Sequence, residues 1–409
     1  MSNSLLTPSI IAAEALRMFE NQLGFTRKID KQYSKEFART GAKIGNTITV
    51  RKPWRPTVRT GTAIQIQNVS EESVPLVLNN QKGVDFTFSM QDLTLTIDRF
   101  AERYIKPAVV AVANQVDIDT QTMAYQNTYN AVGTPGTTPS GSGASGAILT
   151  YLQAQQKLNE LAAPSDGDRS FHINPAAEAQ AVAAFSGLFQ SSSKIAEQYE
   201  KGMMGEGLGG EWYMSQNVQN YTSGQLGGSP AVHNGGQTGS SLVTNGWTSS
   251  AAARVQVGDV FTIAGVHKVN PITKQSTGIL QQFVATAVGS SDGSGNMTLS
   301  ISPPIITSGS TQTVDSSPID TAALTFAASA STLTANNLLI HKNAFTLGCA
   351  DLELPEGVHF AARAQDEESG LSIRIVRAYD INSDQIPCRL DILYGSAAFR
   401  PEWACRIFG

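Results

Sequence analysis

Residues 224–335 limit the fold more than any other part of the chain, because they are almost free of charge and patterned for strands. The acids and bases there are Arg254, Lys268, Lys274, Asp259, Asp292, Asp315 and Asp320. Apolar and polar residues alternate over Arg254–Val257, Val260–Ile263, Phe283–Val288 and Met297–Ser302, which is the period of a half-buried strand. Turn signals at Ser291–Gly293 and Gly295–Asn296 punctuate them. An all-β, barrel-like domain able to fold alone is predicted, with Val255, Val257, Val260, Ile263, Phe283, Val284, Leu299 and Ile301 as its core. The mixed patterning of 147–223 and 338–409 reads as one α/β domain that this insert interrupts. A chain of 409 residues exceeds what one core usually serves.

Upstream of the island the pattern changes twice. Thr7 and Pro8 read as the N-cap and first position of a helix whose apolar face carries Ile11, Leu16, Phe19 and Leu23. Arg27, Lys28, Lys31, Lys35, Arg39 and Lys43 then read as a solvated face. Residues 46–92 are predicted to form a long projecting hairpin, with Asn46–Trp54 and Val84–Met90 as its arms. The roughly thirty polar residues between the arms are too many for an ordinary connection in a compact domain. From Ile97 the period becomes helical. Ile97, Phe100 and Tyr104 make one stripe and Val109, Val112, Val116 and Met123 a second, with a kink or restart at Pro107. Further helices are expected over Ile148–Leu161 and from Pro175 to about Phe189, with strands at Ser170–Asn174 and Arg389–Tyr394.

Several function classes are disfavoured. Acids exceed bases by 34 − 29 = 5, which argues against a globally basic nucleic-acid binder. No apolar run reaches the ~18–20 residues that span a bilayer. Met1–Glu20 lacks a basic leader region, and three cysteines are too few for a disulfide framework, so a reducing cytoplasm is expected. Gly205–Gly210 matches G-x-G-x-x-G but follows helical residues and reads as a flexible linker. Gly289–Gly293 matches G-x-S-x-G but leads into a strand, and reads as a hairpin turn. His172, His233, His267, His341 and His359 do not cluster at metal-ligand spacing, and Asp366, Glu367 and Glu368 read as a solvated loop. No catalytic, cofactor-binding or metal residue is predicted, and no enzymatic activity.

Four patches carry a family resemblance: Gly258–Val266, Cys388–Gly395, Arg400–Glu402 and Phe171–Pro175. With the order of parts, they resemble the major capsid proteins of tailed bacteriophages with the Hong Kong 97 fold, in particular the Salmonella podovirus coat-protein type. The resemblance implies an α+β fold with an N-terminal arm (1–45), an extended loop (46–92), and a spine helix with a peripheral domain (93–200). An axial domain (201–223 and 338–409) holding the inserted β domain (224–337) completes it. It implies self-assembly as hexamers and pentamers into an icosahedral virion shell around double-stranded DNA, bound without sequence preference, with a portal at one vertex. The short stretch before the hairpin leads us to expect a separate scaffolding protein, and no membrane partner is expected. Assembly would take place in the bacterial host cytoplasm.

Arg51, Lys52, Arg55 and Arg59 on one arm, and Glu71 and Glu72 on the other, are candidate contacts with adjacent subunits. Asp85 shares the sign of the second arm and Lys82 is its exception. The alternative is that these charges merely keep an exposed loop soluble. Competing functions are an encapsulin-like nanocompartment shell of the same fold, a secreted adhesive β protein and, last, an enzyme.

Overall fold

The computed structural model describes residues 8–33, 45–56, 59, 61–64, 66, 71–89, 105–141, 146–185, 206–365 and 371–409. Thr7, Lys35, Arg39, Lys43, Ile97, Phe100, Tyr104 and Asp366–Glu368, as well as the end of the predicted helix at Phe189, lie outside the described residues. Contacts divide the chain into two units. One comprises 1–50, 73–121 and 345–399, and the other 51–72, 122–344 and 400–409. The α/β domain expected from 147–223 and 338–409 is therefore split, because its C-terminal strands belong to different sheets.

In the first unit helix α1, Pro8–Gln22, buries Ala12, Ala15, Leu16 and Phe19 at spacings of three and one, as one helical face must. That face packs on the strands Phe360–Gln365 and Ser372–Arg377. The turn after α1 is held by Asp117 on helix α2, Lys106–Asn127. Its carboxylate accepts the Gly24 N–H at 2.7 Å, the Thr26 N–H at 3.0 Å and the Thr26 hydroxyl. Burial pushes the Asp117 pKa up, against these donors, which pull it down. Pro107 falls in the first turn of α2 as described, where the N–H that proline lacks is one a helix start leaves unpaired in any case. Val109, Val112 and Val116 are buried as predicted, whereas beyond them Ala124 and Tyr125 take the inward positions and Met123 is half-buried.

The return arm of the hairpin is not the one expected. Thr47–Arg51 pairs with Ser73–Val77, whereas Asn80–Ser89 runs antiparallel to the long strand Gln385–Ala398, from Asn80–Tyr394 to Ser89–Gln385. Asp85 and Lys82 therefore sit in a sheet rather than on the hairpin. Arg389 donates to Asp85 at 2.9 and 3.2 Å, and Lys82 lies 3.7 Å from Asp119. The long strand also pairs with Phe345–Ala350 and Ser372–Arg377. Gly395 is required there, since a Cβ would stand 2.0 Å from the Val77 carbonyl oxygen.

In the second unit the central sheet runs in the order Ala131–Val132, Ala404–Phe408, Leu333–His341, Arg169–Ile173, Gly210–Met214, Glu206–Gly207. The strands Arg169–Ile173 and Gly210–Met214 are parallel, and helix α4, Pro175–Phe185, follows the first of them. Helix α3, Ala147–Glu160, packs Tyr151 edge-on to Phe171 and Trp212, which stack 4.1 Å apart. The glycine-rich stretch at 205–210 is not a linker over its described residues. Glu206–Gly207 and Gly210–Met214 form a hairpin whose two-residue loop, Leu208–Gly209, has both residues at positive φ.

The island forms a closed β-barrel. Its sheet order is Leu324–Phe326, Val260–Val269, Ser276–Ala285, Met297–Ile305, Gly239–Trp247, Gly228–Val232. A bridge between Ala231 and Ala323 joins the two edges, so neither edge strand is left open along that stretch. Phe261, Phe283, Trp247, Ile263, Leu299 and Ile301 fill the interior. Val260 and Val284, expected in that core, point out of it and pack against Tyr129, Ala131, Leu161 and Phe408 of the same unit. Val257 is only half-buried, and Arg254–Val257 is not a strand but a turn with one bridge, Val255 to Gly289. Lys268 pairs with Glu160, and the Gln282 amide both donates to and accepts from the Ala131 backbone at 3.0 Å, fixing the barrel against helix and sheet.

Candidate functional site

The segment between the two hairpin strands, with Arg51 at its edge, carries the candidate contact residues. Its base is a ladder that continues past the strand, where the Lys52 N–H donates to the Glu72 carbonyl at 2.7 Å. Arg51 lies 3.3 Å from Glu71 and Lys52 lies 3.4 Å from Glu72, so four of the candidate contact residues face each other across one hairpin. Arg55 reaches elsewhere, donating to Glu402 at 2.9 Å. Arg59 donates to the backbone carbonyls of Gly61 and Ala63, the latter at 3.1 Å, and so braces its own turn. Beyond it, Ile64 and Ile66 are 84% and 92% exposed. Two branched apolar side chains in water at the end of a braced segment suit a contact surface.

A cavity of about 160 Å³ opens at the base. Lys52, Arg55, Glu72, Tyr129, Arg400 and Glu402 supply its polar wall, and Pro271, Pro303, Pro304 and Pro401 stiffen it. Burial lowers the Lys274 pKa, with Arg55 lowering it further and Glu72 opposing both. Arg400 stacks on Trp403 with its guanidinium 4.2 Å from the ring centre. The wall is thus a set of charges that compensate one another, Lys52 with Glu72 and Arg55 with Glu402.

Sequence reasoning missed Glu402 as the partner of Arg55, although Arg400–Glu402 stood out as a patch. The two are 347 positions apart, and no local pattern links them. Ile64 and Ile66 were not singled out, since the stretch between the arms reads as polar.

The P22 coat protein (gene protein 5) family model matches residues 3–409. The chain belongs to the P22 coat protein family. It is a major capsid protein of a tailed phage, with the α+β shell fold of the Hong Kong 97 type, and coat subunits of this kind self-assemble into an icosahedral shell. The encapsulin-like alternative is not favoured.

Among solved structures the chain is similar to one from Mycobacterium phage Che8, at 13% identity over 94% of this chain and 90% of that one, with a TM-score of 0.49. A virus-like particle from Pyrococcus furiosus aligns at 8% identity over 97% of both chains, with a TM-score of 0.39. The CUS-3 coat protein I-domain aligns at 30% identity over 24% of this chain and 94% of its own, with a TM-score of 0.18. No curated protein matches.

Proposed function

We propose that this coat protein forms the hexamers and pentamers of the shell, as a structural subunit without a catalytic step. It assembles with a separate scaffolding protein in the bacterial host cytoplasm. It meets a portal at one vertex and encloses double-stranded DNA without reading its sequence. The observation that carries this reading is the family match along residues 3–409, joined to a braced segment that presents Ile64 and Ile66 to solvent. A net charge of −5 supports a lining that does not hold the genome tightly. Negative-stain electron microscopy of the purified protein, with and without its scaffolding partner, tests it. Rings or closed shells are expected, and a monomer that never assembles under either condition overturns the reading.

The candidate contact residues divide by role in this reading. Arg51, Lys52, Glu71 and Glu72 stiffen the hairpin base from within, and Arg55 anchors it through Glu402. Arg59 and the isoleucines beyond it are the residues nearest a neighbouring subunit. The barrel serves as the family's inserted β domain, 1–45 as the arm and 93–200 as the spine helix and peripheral domain, and the extended loop ends before Asn80–Ser89, which pairs with the long strand. In this reading the strands Leu333–His341 and Ala404–Phe408 belong to the axial part.

A further inference from the structure

Arg406, in the closing strand Ala404–Phe408, is the bulkiest fully buried side chain among the described residues. Its Nε and Nη2 donate to Asn336 Oδ1 at 3.2 and 2.7 Å, and its Nη1 donates to the carbonyl of Gly258. Asn336 belongs to the neighbouring strand of the central sheet, whereas Gly258 lies in the turn that opens the barrel strand Val260–Val269. The guanidinium carbon sits 5.4 Å from the Tyr221 ring centre, 5.6 Å from Tyr125 and 5.0 Å from Phe408.

Beside it, the buried Asp259 accepts the Tyr221 hydroxyl, the Gly224 N–H at 3.1 Å and the Gln256 N–H at 2.8 Å. Burial pushes the Arg406 pKa down to about 10, so the group is still a cation at neutral pH, and burial pushes the Asp259 pKa up.

The apolar patch between barrel and sheet, formed by Val260 and Val284 on Tyr129, Ala131, Leu161 and Phe408, is non-directional. It could hold the barrel in several orientations. The guanidinium fork cannot, because its donors need Asn336 and Gly258 at the same time, and a buried cation left with an empty donor is strongly disfavoured. Four residues before Arg406, Glu402 holds Arg55 at the base of the projecting segment.

We propose that Arg406 is a positioning residue that makes barrel docking and seating of the closing strand a single event. Through Glu402, that event also fixes the base of segment 51–72. A subunit with an undocked barrel would then present a loosened projecting segment and be held back from assembly.

Hydrogen exchange with mass spectrometry on the full chain tests this, comparing wild type with Arg406→Met, Arg406→Lys and Glu402→Gln. Arg406→Met should speed exchange about tenfold or more in 404–408 and in 51–55, since hydrogen bonds to a buried charge are lost. Amides of the barrel core at 261–263 and 297–301 should keep wild-type protection. Glu402→Gln should loosen 51–55 and leave 404–408 unchanged. If Arg406→Met does not fold, Arg406→Lys should show the same selective pattern, because an ammonium cannot reproduce the fork. Unchanged protection at 404–408 overturns the proposal, as does a uniform rise that includes the barrel core or an intact 51–55 beside a loosened 404–408.

Discussion

Thr222 and Leu333 face each other as an antiparallel pair, and the whole barrel is threaded between them. The chain thus leaves the central sheet and rejoins it at one point. An insert whose ends meet needs no help from its host to close, and its edges are joined by the Ala231–Ala323 bridge.

Residues 224–331 expressed alone should therefore melt cooperatively and give dispersed amide NMR signals. Phe283→Ala, which empties the barrel centre, should cost that fragment about 3–5 kcal/mol. A collapsed spectrum from the wild-type fragment would show that the host sheet is needed for the barrel to form.

Charge reversal at Arg55 should act on assembly more than on folding. Arg55→Glu places a carboxylate against Glu402, and the lost pair, half exposed on the Arg55 side, contributes about 0.2–1 kcal/mol to the subunit. Chemical denaturation should therefore shift little. Repeated in every subunit, loss of this anchor should raise the protein concentration needed for shells and change its salt dependence, read by light scattering. Normal assembly across salt would remove Arg55 from the base mechanism.

The pair Asp85–Arg389 joins the strand Asn80–Ser89 to the long strand, and Arg389 holds the Asp85 pKa below the usual carboxylate range. A depressed carboxyl stabilises the fold above its unfolded pKa, near 4, and the contribution disappears as pH falls through the lower folded value. Both groups are well exposed, so the effect stays under about 1 kcal/mol. Asp85→Asn should be slightly less stable than wild type at pH 7, and the gap should close as pH falls below the usual carboxylate range. A gap that is constant with pH would mean that packing, not charge, is lost.

All three thiols should be inert in the native protein. Cys349, Cys388 and Cys405 are buried, and desolvation raises their pKa values to about 12, 11 and 12. A thiol reagent at pH 8 should label none of them until denaturant is added, and then all three. Rapid labelling of one in the folded subunit would reveal local opening at that strand.

Gly395→Ala should be severely destabilising, because the Val77 carbonyl occupies the place of the added methyl. Thermal unfolding of the subunit checks this. A melting temperature within a degree or two of wild type would mean that the strand Ser73–Val77 can move aside at little cost.

The local sequence determined the elements whose signal is periodic. The α1 face through Leu16 and Phe19, the α2 stripe at Val109, Val112 and Val116, and most strands of the barrel follow from spacings of three, four and two. The four patches that resemble a coat protein were legible for the same reason, being short and continuous. Which strand pairs with which is a different matter, because it depends on surfaces far apart in sequence. Alternation at 84–90 could not say whether that strand returns to 47–51 or joins Gln385–Ala398. Gly83, with a Cβ position 2.6 Å from the Leu390 carbonyl, shows how close the second pairing is.

Val260 and Val284 look like barrel core by pattern, yet they face the host sheet, because a strand with apolar residues on both sides has two faces to bury. Charges were the least legible. Glu402 became the partner of Arg55, and Arg406 the centre of the barrel junction, only when the closing strand was laid beside Asn336 and Gly258. Ion pairing and guanidinium geometry have no period along a chain. They are fixed by where the backbone brings the groups, and that is decided by the packing of the whole.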